Sequence, residues 1–120
     1  MARVLVVEDD ADTRGLLRRR LASTGHEVDD VATGELALAA LDRATYDLIV
    51  LDVHLPGIQG WEVMRAVTAN ERLASVPVLL CTITEPEEAP PGVQAVWWLA
   101  KPFTRGDLDL ALTLALGGAD

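Results

Sequence analysis

Short apolar segments alternate along the chain with longer segments in which apolar residues recur every three or four positions. A continuous apolar run bounded by turn residues is typical of a strand buried on both faces, whereas the longer spacing is typical of an amphipathic helix. The pattern predicts strands over residues 3–7, about 27–31, 48–51, 78–81 and about 95–100. It predicts helices over about 12–24, 34–44, 60–69 and 105–116. Such alternation indicates an α/β fold with helices on both faces of a parallel sheet.

Capping residues mark the ends of several predicted helices. Gly25 follows the first helix, where a glycine commonly ends a helix. Thr104 and Asp107 have the spacing of a capping box at the start of the last helix, and Gly117-Gly118 follow its end. The second strand is short and partly polar, which is typical of a strand at the edge of a sheet.

The connection between the fourth and fifth strands breaks the pattern. A parallel sheet needs a crossover there, and the crossover is usually a helix. Residues 84–94 instead contain three prolines and a glycine, at Pro86, Pro90, Pro91 and Gly92. Because an interior proline costs a helix about 3 kcal/mol, at most one turn over residues 85–89 could be helical. We expect an irregular connection.

The last predicted helix is apolar on more than one side. One stripe consists of Leu108, Ala111, Leu112 and Ala115, while Leu110 and Leu114 lie on another side. A helix that is apolar nearly all round is usually covered by something further. This surface is either a partner-binding face or ordinary surplus apolar surface.

Composition favours one domain, spanning residues 1–120, in a reducing compartment. Half of the residues are hydrophobic, and the single cysteine, Cys81, lies inside an apolar run. The formal net charge of -9 disfavours direct binding of nucleic acid by this segment. No stretch reads as a membrane helix or a signal peptide, so the expected location is the cytoplasm, away from membranes. The basic cluster Arg18, Arg19 and Arg20 is either a solvated helix face or a docking surface.

Four predicted strands end in charged or reactive side chains. Asp52 follows the third strand, and Glu8 and Asp9 follow the first. Thr82 follows the fourth strand, and Lys101 follows the fifth. Since the carboxyl ends of parallel strands meet at one edge of a sheet, where ligands bind in open α/β folds, these side chains are predicted to form one site.

This combination of side chains suits phosphoryl transfer. Clustered carboxylates repel one another, so a hard cation such as Mg2+ is expected among them. A carboxylate oxygen of Asp52 can attack phosphorus directly, while Thr82 and Lys101 can bind the phosphoryl oxygens. The peptide bond between Lys101 and Pro102 could be cis or trans. The alternative is that the acidic residues only cap loops and the first helix, as Asp10 and Asp12 could do.

Four sequence segments together resemble the receiver domain of two-component response regulators. They are VLVVEDD, LIVLDVHLPGIQG, VPVLLCT and WWLAKPF, and they occur in the family's order and at close to its spacing over the whole chain. The resemblance implies a flavodoxin-like (βα)5 doubly wound parallel sheet with strand order 2-1-3-4-5. In this chain the fourth helix is expected to be shortened or replaced by a proline-rich loop.

The resemblance also implies the metal site. Asp52 is expected to accept a phosphoryl group from a sensor histidine kinase, a phosphotransfer protein or a small phosphodonor. Asp9 and Asp52 are expected to ligate Mg2+ directly, and Glu8 through a water molecule. His54 is expected to contribute its backbone carbonyl, while its imidazole lies at the rim of the site because Mg2+ prefers oxygen ligands.

The remaining implied roles concern the phosphoryl group and the response to it. Thr82 and Lys101 would hold the phosphoryl group, and Thr82 and Trp98 would form the switch. The implied partners are the kinase, an output partner or fused output domain, and a second copy in a homodimer. No enzymatic activity is expected beyond self-phosphorylation and autodephosphorylation.

Departures from the family pattern keep a second hypothesis open. Ile83 stands where the family usually has a small residue, Trp98 is larger than the usual switch aromatic, and the fourth crossover is rich in proline. A pseudo-receiver would keep the fold and act as a phosphorylation-independent interaction module. A flavin-binding electron carrier is disfavoured because Glu8 would repel a flavin phosphate. An aspartate-based phosphatase is disfavoured because His54 stands where its second acid is typical.

Overall fold

The computed structural model describes residues 2–83 and 96–116, and it contains one parallel five-stranded sheet. The strands are β1 (Arg3–Val7), β2 (Glu27–Val31), β3 (Leu48–Leu51), β4 (Val78–Thr82) and β5 (Val96–Ala100). Their order is β2-β1-β3-β4-β5, which confirms the predicted doubly wound topology. The partly polar strand β2 lies at an edge of the sheet, as its sequence predicts.

Four helices lie in the described residues. They are α1 (Ala11–Ser23), α2 (Gly34–Arg43), α3 (Gly60–Ala69) and α4 (Arg105–Ala115). Each agrees with its predicted span to within one residue at either end. The predicted irregular connection at 84–94 and the Gly117-Gly118 helix end lie outside the described residues.

The continuous apolar runs of the strands fill two separate cores, one on each face of the sheet. Leu5 and Ile49 belong to the core covered by α2 and α3. Val6 and Val50 belong to the core covered by α1 and α4. Because side chains alternate between the faces of a strand, a strand covered on both sides needs apolar residues at every position. This explains why the central strands show no polar alternation.

Helix α4 begins and packs as its sequence predicts. The Thr104 side chain accepts a hydrogen bond from Asp107 N at 3.1 Å, and Asp107 accepts one from Thr104 N at 3.0 Å. The predicted stripe faces the core, while Leu110 and Leu114 are 61% and 46% exposed. The described residues include no helix that is long and apolar enough to cross a membrane.

Two members of the arginine cluster make ion pairs within the chain. Arg20 binds Asp109 through two hydrogen bonds of 2.8 and 2.6 Å, which connects α1 to α4. Arg18 pairs with Asp30 of β2. These contacts lie at the surface, where a pair is worth about 0–1 kcal/mol. These pairs connect α1 to α4 and to β2, and the docking-surface hypothesis stays a prediction.

A hydrogen-bonded cluster fastens the edge strand β2. The Tyr46 hydroxyl donates to Asp29 Oδ2 at 2.6 Å, and Arg3 Nη2 donates to the same oxygen at 2.9 Å. The Arg3 guanidinium also lies 5.2 Å from the centre of the Tyr46 ring. Burial and the hydrogen bond to Asp29 raise the pKa of Tyr46 to about 12. The Tyr46 hydrogen bond in turn lowers the pKa of Asp29.

The raised pKa of Tyr46 predicts that its hydroxyl ionises at a higher pH in the folded protein than in the unfolded chain. Tyr46 is the only tyrosine, so tyrosinate absorbance should report it alone, with a midpoint near pH 12 in the folded protein. In the unfolded chain the midpoint should fall at roughly 10. Because the folded pKa is the higher one, the linked stability is complete below the unfolded pKa and is lost as the pH rises through the folded one. Asp29→Asn should lower the midpoint only in part, because burial is the larger cause. A folded-state midpoint equal to the unfolded one would contradict this account.

Candidate functional site

The carboxyl ends of four neighbouring strands bring the predicted side chains together. Val7 at the end of β1 pairs in register with Leu51 at the end of β3, so Glu8 and Asp52 emerge side by side. Thr82 at the end of β4 pairs with Ala100 at the end of β5, and Lys101 follows. The sheet register alone therefore places acidic, hydroxyl and ammonium groups at one edge.

A lysine bridges two buried carboxylates at the centre of this site. Lys101 Nζ lies 2.5 Å from Glu8 Oε1 and 2.9 Å from Asp52 Oδ2. Glu8 and Asp52 are only 1% and 6% exposed, respectively. Two carboxylates at such close range would repel strongly in a low-dielectric interior, so the ammonium is required to hold them there. The Lys101–Pro102 peptide bond is cis.

The electrostatics of the bridge keep Lys101 charged. Burial alone would lower the pKa of Lys101, but its hydrogen bonds to Glu8 and Asp52 raise that pKa above its ordinary value. Burial raises the pKa of Glu8, and this shift is opposed by the hydrogen bonds from Lys101 and from Asp10 N. The site thus contains a firmly protonated lysine and a glutamate whose charge depends on its hydrogen bonds.

Three carboxylates are close enough to share a cation. Oxygen atoms of Glu8, Asp9 and Asp52 all lie within 4.8 Å of one another. Glu8 and Asp52 are buried and Asp9 is exposed, so the cluster opens to solvent on the Asp9 side. An oxygen-only donor set with one solvent-facing member fits Mg2+, which keeps several of its waters. His54 is exposed, and the expected roles of its backbone carbonyl and of its imidazole at the rim stay predictions.

The acidic loop after β1 is fixed by its own hydrogen bonds. Asp10 N donates to Glu8 Oε2 at 3.2 Å, which orients the glutamate. Asp10 itself caps α1, because its Oδ2 accepts from Thr13 N at 3.0 Å and from Thr13 Oγ1 at 2.6 Å. These bonds lower the pKa of Asp10. The capping interpretation is therefore confirmed for Asp10, whereas Glu8 and Asp9 belong to the carboxylate cluster.

The loop after Asp52 packs so closely against the start of α3 that there is no space for a side chain at Gly60. Asp52 Oδ1 accepts a hydrogen bond from His54 N at 2.9 Å, and Gly60 N donates to Val53 O at 3.0 Å. A Cβ atom on Gly60 would lie 2.4 Å from Val53 Cα and 2.5 Å from Asp52 O. Gly57 has a positive φ of 70°, which favours glycine. The start of α3 is thus pressed directly against the backbone of the Asp52 loop.

Thr82 and Trp98, the two predicted switch residues, lie on adjacent strands. Thr82 is fully buried, and its carbonyl accepts from Lys101 N at 3.1 Å. Trp98 is half-buried and packs against Trp61 of α3, with ring centroids 6.3 Å apart and planes tilted by 39°. Ile83 is 72% exposed, so its side chain can change rotamer without disturbing the core.

Some features of the site could not be predicted from the sequence. Trp61 was expected only as part of a helix, and its contact with Trp98 depends on how α3 packs on the sheet. Arg14 of α1 donates to the Glu8 carbonyl at 3.0 Å, a contact that no spacing rule indicates. Gly60 offered a weak signal, since a glycine at a helix start close to a strand end suggests close packing.

Comparison with known proteins assigns the family. The family model for the response regulator receiver domain matches residues 4–113. The chain belongs to this family. The Pseudomonas aeruginosa chemotaxis protein CheY is 34% identical over 111 residues, which cover 85% of this chain and 86% of that protein. This receiver also resembles the Mycobacterium tuberculosis transcriptional regulatory protein TcrA, with 48% identity over 80 residues, or 67% of this chain.

Solved receiver-like structures agree with the fold. The Vibrio cholerae chemotaxis response regulator CheY4 is 35% identical, with a TM-score of 0.90, covering 97% of this chain and 99% of that one. Thermotoga maritima TrrA, solved in complex with Mg2+ and BeF, is 30% identical with a TM-score of 0.84, covering 97% of this chain and 100% of that one. The receiver spans only 31% of TcrA and 35% of the Streptomyces coelicolor regulator AfsQ1.

The close packing at Gly60 predicts that a larger residue there lowers the free energy of unfolding, and Gly106 in α4 provides a control. Gly60→Ala should destabilise the protein by about 1–3 kcal/mol or more, because the new methyl group meets backbone atoms that cannot rotate away. Gly106→Ala in α4 should instead stabilise it by up to about 1 kcal/mol, since the nearest atom lies 3.8 Å from the added Cβ. Urea unfolding followed by circular dichroism measures both. Equal effects of the two substitutions would show that the Asp52 loop adapts freely.

Proposed function

We propose that this receiver is phosphorylated on Asp52 in a Mg2+-dependent reaction and that phosphorylation changes its affinity for a partner. The observation that carries this proposal is the Lys101 ammonium shared by the buried Glu8 and Asp52 carboxylates. A purely structural role would leave such a costly charge cluster without a benefit, since apolar side chains of similar volume would serve as well. The crystal structure of TrrA in complex with Mg2+ and BeF supports the same chemistry by similarity.

The proposed reaction uses the side chains at the carboxyl ends of the strands. An Asp52 oxygen attacks the phosphorus atom of the donor, forming a P–O bond as the bond to the donor's imidazole nitrogen, or to acetate in a small phosphodonor, breaks. The electron pair of the broken bond stays with the leaving group. Lys101 Nζ, 2.9 Å from Asp52 Oδ2, is placed to bind a phosphoryl oxygen. We expect the Thr82 hydroxyl, at the end of β4, to donate to another.

The metal site would be formed by the carboxylates of Glu8, Asp9 and Asp52, with the His54 carbonyl as a further ligand. When bound, Mg2+ would supply neutralisation of the charge on the transferred phosphoryl oxygens. Burial of Glu8 and Asp52 excludes water from one side of the reacting carboxylate. Asp9 is exposed to solvent, so a donor would approach the site from the Asp9 side.

The switch would use residues that the sheet already connects to the site. Thr82 lies at the end of β4, and its in-register neighbour Ala100 lies two positions after Trp98 on β5. A hydroxyl drawn toward a phosphoryl oxygen would vacate space that an aromatic ring can enter, which is a bistable arrangement biased by one added charge. The proposed input partner is a histidine kinase or phosphotransfer protein, and the output is an effector partner or output domain. No catalysis beyond self-phosphorylation and autodephosphorylation is proposed.

Phosphorylation can be tested directly by mass spectrometry. Incubation with acetyl phosphate and Mg2+ should add the mass of one phosphoryl group, and chelation of Mg2+ should abolish the increase. Asp52→Asn removes the attacking carboxylate and should show no increase. An unmodified wild-type protein would favour the pseudo-receiver alternative, and an increase that persists in Asp52→Asn would place the phosphoryl group elsewhere.

Tryptophan fluorescence should report the switch. Beryllofluoride with Mg2+ mimics the phosphoryl group, so binding should change the emission if Trp98 leaves its contact with Trp61. Trp97→Phe serves as the matched control, because Trp97 is the neighbouring ring and is 40% exposed. The change should persist in Trp97→Phe and largely disappear in Trp98→Phe. An unchanged wild-type spectrum at saturating mimic would rule out a Trp98 switch.

A further inference from the structure

Arg14 reaches back from α1 to the loop that carries the acidic pair. Its Nη1 atom donates to the backbone carbonyl of Glu8 at 3.0 Å and lies 3.5 Å from the carbonyl oxygen of Asp9. The guanidinium therefore contacts the carbonyl groups of two successive peptide bonds, Glu8–Asp9 and Asp9–Asp10, which flank the Asp9 Cα. These residues precede α1, whereas Arg14 lies within it, so the contact closes the loop onto the helix.

Asp30 of β2 orients this guanidinium from the other side. Arg14 Nε lies 3.3 Å from Asp30 Oδ2, and both side chains are largely buried, at 23% and 21% exposure. Glu8 N also donates to the carbonyl of Val31, the residue after Asp30, at 3.1 Å. The acidic loop is thus fastened to the edge strand twice, once directly and once through Arg14.

The Asp9 carboxylate depends on this backbone support. Glu8 and Asp52 are both held by Lys101, but among the described residues no hydrogen bond or ion pair holds the exposed Asp9 side chain. Its contacts with the rest of the protein are therefore made through the backbone, which fixes the point from which the carboxylate projects. A looser Glu8–Asp9 peptide would spread the three carboxylates and lower their affinity for a cation.

We propose that Arg14, oriented by Asp30, is a positioning residue for the metal site. The inference rests on the proposed function, because it concerns the same Mg2+ site. Two effects of Arg14 oppose each other: its positive charge repels a cation, while its hydrogen bonds position the ligands. Asp30, which also pairs with Arg18, offsets part of the positive charge, and we expect the positioning effect to exceed the remaining repulsion. Loss of an outer group that hydrogen-bonds a ligating side chain typically costs 10–100-fold in metal affinity, and we expect a group that holds the ligands' backbone to fall at the lower end of that range.

Isothermal titration calorimetry with Mg2+ tests the sign of the effect without requiring phosphorylation. Arg14→Ala should weaken Mg2+ binding by about tenfold, and Arg14→Lys should recover part of the loss through a single hydrogen bond. Asp30→Asn should weaken binding in the same direction. The double variant Arg14→Ala/Asp30→Asn should bind Mg2+ no more weakly than Arg14→Ala alone. Both changes remove the same contact, that of the oriented guanidinium with the acidic loop.

Arg18→Ala is the matched control. Arg18 lies one turn after Arg14 and pairs with the same Asp30, but it contacts neither carbonyl of the acidic loop. Its removal deletes the same charge from the same helix, so Mg2+ affinity should stay within about twofold of the wild type. This outcome would separate positioning from a general charge effect.

The outcomes are distinguishable from one another. Unchanged or tighter Mg2+ binding in Arg14→Ala, or equal losses in Arg14→Ala and Arg18→Ala, would overturn the positioning role. If Arg14→Ala fails to fold, as judged by urea unfolding, Arg14→Lys and Asp30→Asn decide the question by the same titration. Failure of the proposed function would appear in the wild type, which would then acquire no phosphoryl group.

Discussion

The structure of the functional edge depends on one ammonium group shared by two buried carboxylates. Lys101 lies within hydrogen-bond distance of both Glu8 and Asp52, which solvent scarcely reaches. Removing one partner of a buried ion pair typically costs about 3–5 kcal/mol, because the remaining charge is left unpaired in a poor dielectric. The shared ammonium therefore stabilises the cluster, and under the proposed function a phosphoryl group would offer the lysine a new anionic partner.

The sheet supplies the precision that this charge cluster needs. Glu8, Asp52, Thr82 and Lys101 each lie at or just beyond the end of a buried strand, so their backbones are fixed by the parallel ladders. Two loops are held against this edge. The absence of a side chain at Gly60 lets α3 pack directly on the Asp52 loop, and Arg14 and Asp30 hold the acidic loop. Strands position Glu8, Asp52, Thr82 and Lys101, and short loops position the exposed part of the carboxylate cluster.

Much of this arrangement was predictable from the sequence because it depends on local patterns. Apolar runs such as 48–51 identify strands buried on both faces, and the capping box at Thr104 identifies the start of the last helix. Residues at strand ends were predicted to meet because parallel strands share one edge. The strand order was implied by family resemblance, since periodicity alone does not distinguish between permutations of a parallel sheet.

The sequence by itself therefore determined the elements, the sheet edge at which the candidate site lies, and the side chains that gather there. Only the tertiary structure decided which of those side chains touch. That Lys101 bridges Glu8 and Asp52, that Trp61 packs on Trp98, and that Arg14 reaches the Glu8 carbonyl all depend on helix packing and side-chain direction. The Lys101 and tryptophan contacts join residues far apart in the chain and result from packing on the sheet, whereas the Arg14 contact spans six residues and depends on the direction of its side chain.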